Sequence, residues 1–106
     1  MIIVTTNEIE GKKIKEAKGL VQGSTVKAKH VGRDIGASFK TLVGGEIKGY
    51  SDLMKEARDE ALERMIKEAE KLGANAVIGM RYQTAQIMAS AAEVVAYGTA
   101  VVVESK

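Results

Sequence analysis

Cysteine, proline and tryptophan are all missing from these 106 residues, and histidine occurs once, as His30. Without cysteine there can be no disulfide, thiolate metal ligand, iron–sulfur cluster or thiol nucleophile. Aromatic residues are scarce as well: Phe39, Tyr50, Tyr82 and Tyr97 stand far apart. Nucleic-acid binders commonly combine stacking aromatics with a basic block or stripe. Here 16 basic and 14 acidic residues are mixed along the chain for a net charge of +2, so no nucleic-acid partner is expected. No run is long and apolar enough to span a membrane. The opening "MIIVTTNEIEGKK" puts its lysines after the apolar run, the reverse of an export signal. The chain is expected to be cytoplasmic, with no membrane partner, and to form one domain over 1–106.

What is present is a series of changing periods. "IIVTT", residues 2–6, is β-branched throughout and predicts a first strand. From Gly11 to His30 the pattern predicts either one long strand bulged at Gly19 or Gly23, or a hairpin turning at Gly23-Ser24. Its lysines suit a strand guarded against foreign pairing. In "RDIGASFKTLV", Ile35, Phe39, Leu42 and Val43 fall at i, i+4, i+7 and i+8, a short helix capped by Asp34. Gly44-Gly45 then reads as the joint ending it, with Gly49 just before the Ser51 that opens a longer helix. A phosphate cradle would want a strand before the glycines and a following lysine–serine or lysine–threonine pair, and has neither.

Leu53, Met54, Ala57, Ala61, Leu62, Met65, Ala69 and Leu72 form the long helix's apolar face. Glu60–Arg64 and Glu63–Lys67 pair on its wet side, and Gly73 stops it. "NAVIGMRYQTAQI" alternates, with Ile78, Met80 and Tyr82 on one face and Arg81 and Gln83 on the other. "EVVAYGTAVVVE" is apolar on both parities: Val94, Ala96, Ala100 and Val102, then Val95, Tyr97, Val101 and Val103. Such a strand should be buried on both sides. Helices can cover one face of the sheet, so a second copy of the chain is expected to cover the other.

Few residues could carry chemistry. A general base needs a nucleophile and an orienting carboxylate nearby, and no local motif gives them to His30. His30 and Asp34, four residues on, are the metal candidates. Glu8, Glu10 and Glu46 add carboxylates suited to hard cations but spaced like loop charges. Met54, Met65 and Met80 fall on apolar faces and read as packing rather than thioether ligands. Asp52, Asp59 and Glu63 lie on the outer face of the long helix and read as solvated charge rather than a general acid/base pair. No catalytic and no cofactor-binding residue is expected.

"IIVTTNEIEGKKI", "VGGEIKGYSDLMKEARDEALERMIKEAEKLGANAVIGMRY" and "GTAVVVE" together resemble the YbjQ-like family over nearly the whole length. These small bacterial and archaeal proteins are of unknown function and are labelled heavy-metal-binding. The resemblance implies an α+β fold like a dodecin subunit: an antiparallel sheet with one short and one long helix on one face, and a β-α-β-β core. It also implies a homopentamer. Dodecins stack flavin on tryptophan, so no flavin is expected here. The function implied is a non-enzymatic homopentameric module that binds a metal, such as a divalent ion, or a small ligand. The alternatives are an enzyme with a site between subunits, built from Tyr50, Tyr82 or Tyr97 with His30, and a purely structural or protein-interaction ring. In a ring His30 recurs once per chain, and converging imidazoles would bind zinc or copper.

Overall fold

The computed structural model describes residues 1–28, 45–89 and 91–106. In chain order these form β1 (Ile2–Ile3), β2 (Lys12–Ala28), α1 (Gly45–Lys71), β3 (Ala76–Met88) and β4 (Ala91–Ser105). One four-stranded sheet has the order β1-β3-β4-β2. The α+β class holds, and β2, β4 and β3 are antiparallel neighbours. The short β1 departs from the expected antiparallel sheet by pairing parallel to β3. Its backbone continues the pairing past Ile3: Val4 N–H donates to Val77 O at 3.0 Å, and Gly79 N–H to Thr6 O at 2.9 Å. The short helix expected over 33–43 lies outside the described residues, as do His30, Asp34 and Gly44.

The stretch after Gly11 is one strand of 17 residues, and the hairpin at Gly23-Ser24 is not formed. Register shifts fall between Ile14 and Glu16 and between Ala17 and Gly19, so the bulge is at Gly19 and not at Gly23. Gly23 has a different task. A Cβ there would run into the helix backbone at Met65 N, Ala61 O and Arg64 C. The helix therefore rests directly on this glycine.

The face it lays down is narrow. Ala57, Ala61, Met65 and Ala69, spaced by four, are all 0% exposed. Small side chains at three of the four positions allow the close approach, and Met65 fills the remaining space against Val21, Val77, Val94 and Ala96. The helix starts at Gly45 and not at Ser51, so Gly49 sits within it and not in a joint. With open space around its Cα, Gly49 costs the helix about 1 kcal/mol relative to alanine. At the other end Gly73, at φ 81°, closes the helix as a Schellman cap. Its N–H donates to Glu70 O at 3.0 Å, and the Ala74 N–H to Ala69 O at 3.1 Å. Leu72 thus lies past the helix end and is exposed, not part of the apolar face.

Gly79, at φ 59°, bulges β3 between Ile78 and Arg81. The bulge separates Ile78 from Met80, which simple alternation had put on one face. Met80 joins the core under the helix, whereas Ile78 packs with Ile9, Ala76, Val101 and Val103 on the far side. The far face of β4 at Val101 and Val103 is therefore covered within the chain, not by a second copy. Toward the other end, Val95 and Tyr97 are left half-buried.

Gly23→Ala is expected to cost at least the 1–3 kcal/mol usual for overpacking, since the obstacle is backbone and cannot rotate aside. Thermal unfolding at fixed protein concentration checks this, with a fall of about 4–8 °C in Tm per kcal/mol. An unchanged Tm would contradict the close approach.

Candidate functional site

Alternation on β2 sends Gly23, Thr25 and Lys27 toward the helix and Gln22, Ser24 and Val26 away from it. Thr25 and Lys27 form the polar margin of the helix contact. The Lys27 ammonium donates to Glu60 at 3.0 Å and to Glu56 at 3.4 Å, and the Thr25 hydroxyl to Glu60 at 3.1 Å. One turn further on, Arg64 donates to Ser24 O at 2.6 Å. Glu60 and Arg64 thus each bond to β2, rather than forming the i, i+4 pair expected between them. Glu63–Lys67 is present at 3.7 Å.

Hydrogen bonding to Lys27, then to Thr25, holds the Glu60 carboxyl below the usual carboxylate range. The bond to Glu60 in turn raises Lys27. A depressed carboxylate adds stability above its unfolded pKa, about 4.3, and loses it as pH falls through the folded value. The raised lysine adds stability below its unfolded pKa, about 10.4, and loses it above the folded value. Glu60→Gln is therefore expected to lower Tm at neutral pH and to converge with wild type toward about pH 3. A constant difference across that range would contradict the clasp.

Asp52, Lys55, Glu56, Asp59, Glu60 and Glu63 line a shallow open depression along α1. Glu56, Asp59, Glu60 and Glu63 there are paired with lysines, as in Lys55–Asp59 at 3.5 Å and Lys27–Glu56 at 3.4 Å. Among the described residues no group of three or more His, Asp or Glu side chains is placed to hold a metal ion. Heavy metals favour soft donors, and carboxylates tied to lysines do not fit them. Glu8 and Glu10 are exposed near the N-terminus. Tyr82 and Tyr97 do not converge either: Tyr82 pairs with Ala96 on the helix side, while Tyr97 pairs with Arg81 and Gln22 on the opposite side, and Tyr50 is exposed on α1. Among the described residues no helix is long and apolar enough to cross a membrane.

The feature that alternation did not reveal is the unfinished end of the sheet. Residues 2–6 cover the edge of β3 only as far as Met80, whose N–H donates to Val4 O at 3.0 Å. There Arg81 closes the cover, its guanidinium donating to Thr5 O and Met80 O, each at 2.8 Å. From Arg81 to Met88 every residue of β3 is exposed. Tyr82, Ile87 and Met88 stand out among them, Met88 at 62%. Across the sheet Leu20 is 70% exposed and Val26 55%. The sequence signal was available: "RYQTAQIM" has no proline and one charge, an edge without guards.

Over residues 1–104 the chain matches the model of the YbjQ family, described as "Putative heavy-metal-binding". It is 62% identical over 104 residues to a UPF0145 protein of Thermotoga maritima, covering 98% of each chain. To a UPF0145 protein of Halalkalibacterium halodurans it is 61% identical over 106 residues, covering all of both. Among solved structures, a protein of unknown function from Pediococcus pentosaceus, of the DUF74 family, superposes with a TM-score of 0.62. That likeness, at 19% identity and covering 98% of each chain, is one of fold.

Proposed function

The chain belongs to the YbjQ family, and from that premise we propose that it is a cytoplasmic, non-enzymatic homopentamer that binds a metal ion or small ligand. The observation that carries the assembly is the exposed end of the sheet: among the described residues nothing covers Arg81–Met88 of β3, and Leu20, Val26, Ile87 and Met88 are all exposed. Five is the subunit number that the family resemblance implies.

The non-enzymatic reading is supported by Tyr82 and Tyr97 lying on opposite faces of the sheet, with Tyr50 on the helix, and by carboxylates engaged with lysines. The described donors of one chain do not fit a heavy metal, which supports a metal site that draws on several subunits. His30, the one imidazole per chain, is the donor that such a ring would multiply.

Light scattering tests the assembly. Wild type is expected to have five times the chain mass at micromolar concentration, and a monodisperse monomer would refute the proposal. Val95 lies on the face away from the helix, between Ser24 and Gln83. Val95→Lys would repeat one cation per chain on an enclosed surface, and is expected to dissociate the ring. The metal part is tested by titrating metal-free protein with zinc. Binding is expected near one ion per assembly, lost in His30→Ala and released below about pH 6.5. Binding unchanged by His30→Ala would remove histidine from the site.

A further inference from the structure

Both edges of the sheet change character at the same level. On the β3 side, residues 2–6 cover the edge through Met80 and leave it bare beyond Arg81. On the β2 side, residues 12–18 read "KKIKEAK", five charges in seven residues, with two register shifts. Charge and bulges are the usual guards of a free edge. From Leu20 to Ala28 the guards stop: "LVQGSTVKA" holds one charged residue, Lys27, and Glu56 and Glu60 engage it. The ladder rows show that the two bare stretches lie level with each other across β4. Gln22, Tyr97 and Arg81 make one row, Ser24, Val95 and Gln83 the next, and Ala28, Ala91 and Met88 the last described.

We propose that the bare edge of β3, Tyr82 to Met88, pairs with the bare edge of β2, Leu20 to Ala28, in a neighbouring copy of this chain. The inference rests on the homo-oligomer proposed above and specifies how it is joined. Among the described residues each edge presents a row of unpaired backbone donors and acceptors, which is a template for another strand. β2 and β3 both run antiparallel to β4, so they run parallel to each other. A rotation about an axis running along the strands carries one copy onto the next without reversing them and makes the new pair parallel. Head-to-tail joining uses both edges of every copy and closes as a ring. A two-fold β3–β3 pairing would leave both β2 edges bare. Like charges do not oppose the contact, since 82–88 holds no charged residue. Leu20, Val26, Ile87 and Met88, all exposed in one chain, flank the join. The helices would then lie outside, and the face with Val95 and Tyr97 would line the interior.

The cysteine-free chain permits a direct test. Gln22, Ser24 and Val26 on β2, and Gln83 and Ala85 on β3, share the face away from the helix. Cysteine is placed at one β2 and one β3 position in all six combinations, alongside the five single variants. Neighbouring strands lie about 4.8 Å apart, within disulfide reach. Mild oxidation of the native assembly is expected to give, for at least one combination, a ladder of covalent oligomers on a non-reducing denaturing gel. The single variants are expected to stay monomeric on that gel. An intact assembly with no ladder from any combination would overturn the edge pairing while leaving the oligomer standing. Covalent dimers from a single Gln83→Cys or Ala85→Cys would overturn it in favour of β3–β3 pairing. A monomeric wild type under native conditions would refute the oligomer itself, and the join with it.

Discussion

The contact between the helix backbone and Gly23 sets the proportions of the whole molecule. A helix is about 10 Å wide and strands are spaced about 4.8 Å apart, so one helix can shelter about two strands. Seated on Gly23, α1 shelters β2 and β4, and its alanine stripe lets it sit low enough to exclude water from Val21, Val94 and Ala96. The same placement leaves the helix-side row of β3 beyond Met80 uncovered, so Tyr82, Thr84 and Gln86 remain exposed. Nothing else in the described chain reaches them. One choice of glycine thus secures half the sheet and leaves the other half unfinished.

The two ends of the slab differ accordingly. At one end the chain completes itself: residues 2–6 add a parallel edge, Ile9 covers Val101 and Val103, and Gly73 turns the helix into the sheet. Asn75 extends the sheet one residue beyond β3. Its side-chain amide donates to Val103 O at 2.9 Å and accepts from Val103 N–H at 2.8 Å, standing in for a strand pair. At the other end the described residues supply no such finishing, and the exposed backbone edges and apolar side chains form a surface suited to copies of itself. In that account the Lys27–Glu60 clasp fastens the helix near the join without closing it.

Much of this was legible in the sequence. The four-residue spacing of Ala57, Ala61, Met65 and Ala69, the stop at Gly73 and the two-sided parity of β4 each follow from a local pattern with one physical meaning. The misreadings came where a glycine has more than one. Gly23 read equally as a turn or a bulge, and only the helix above it decides that it is a contact. Gly79 looked like one more strand residue, and its left-handed conformation moved Ile78 to the other face. Gly45 and Gly49 read as parts of a joint, yet the helix takes in both, since a glycine costs a helix only about 1 kcal/mol relative to alanine.

The candidate site was less legible. His30 and Asp34 drew attention as donor types, and both lie outside the described residues. Glu60 was matched to Arg64 by helical spacing, but strand β2 offered both residues partners that spacing alone cannot see. The unguarded edge at 82–88 is written in composition, as an absence of charge and proline. It gains meaning only once the cover of β3 is seen to end at Arg81.

The central claim is that the bare end of the sheet is covered by other copies of the chain. Amide hydrogen exchange along Tyr82–Met88 in the native protein tests it most directly. Alternate amides of this edge already bond to β4, and the outward set has no backbone partner among the described residues. The account predicts that the outward set is also protected, to the level of the sheet interior. Exchange of those amides at the rate of an unstructured peptide would contradict it.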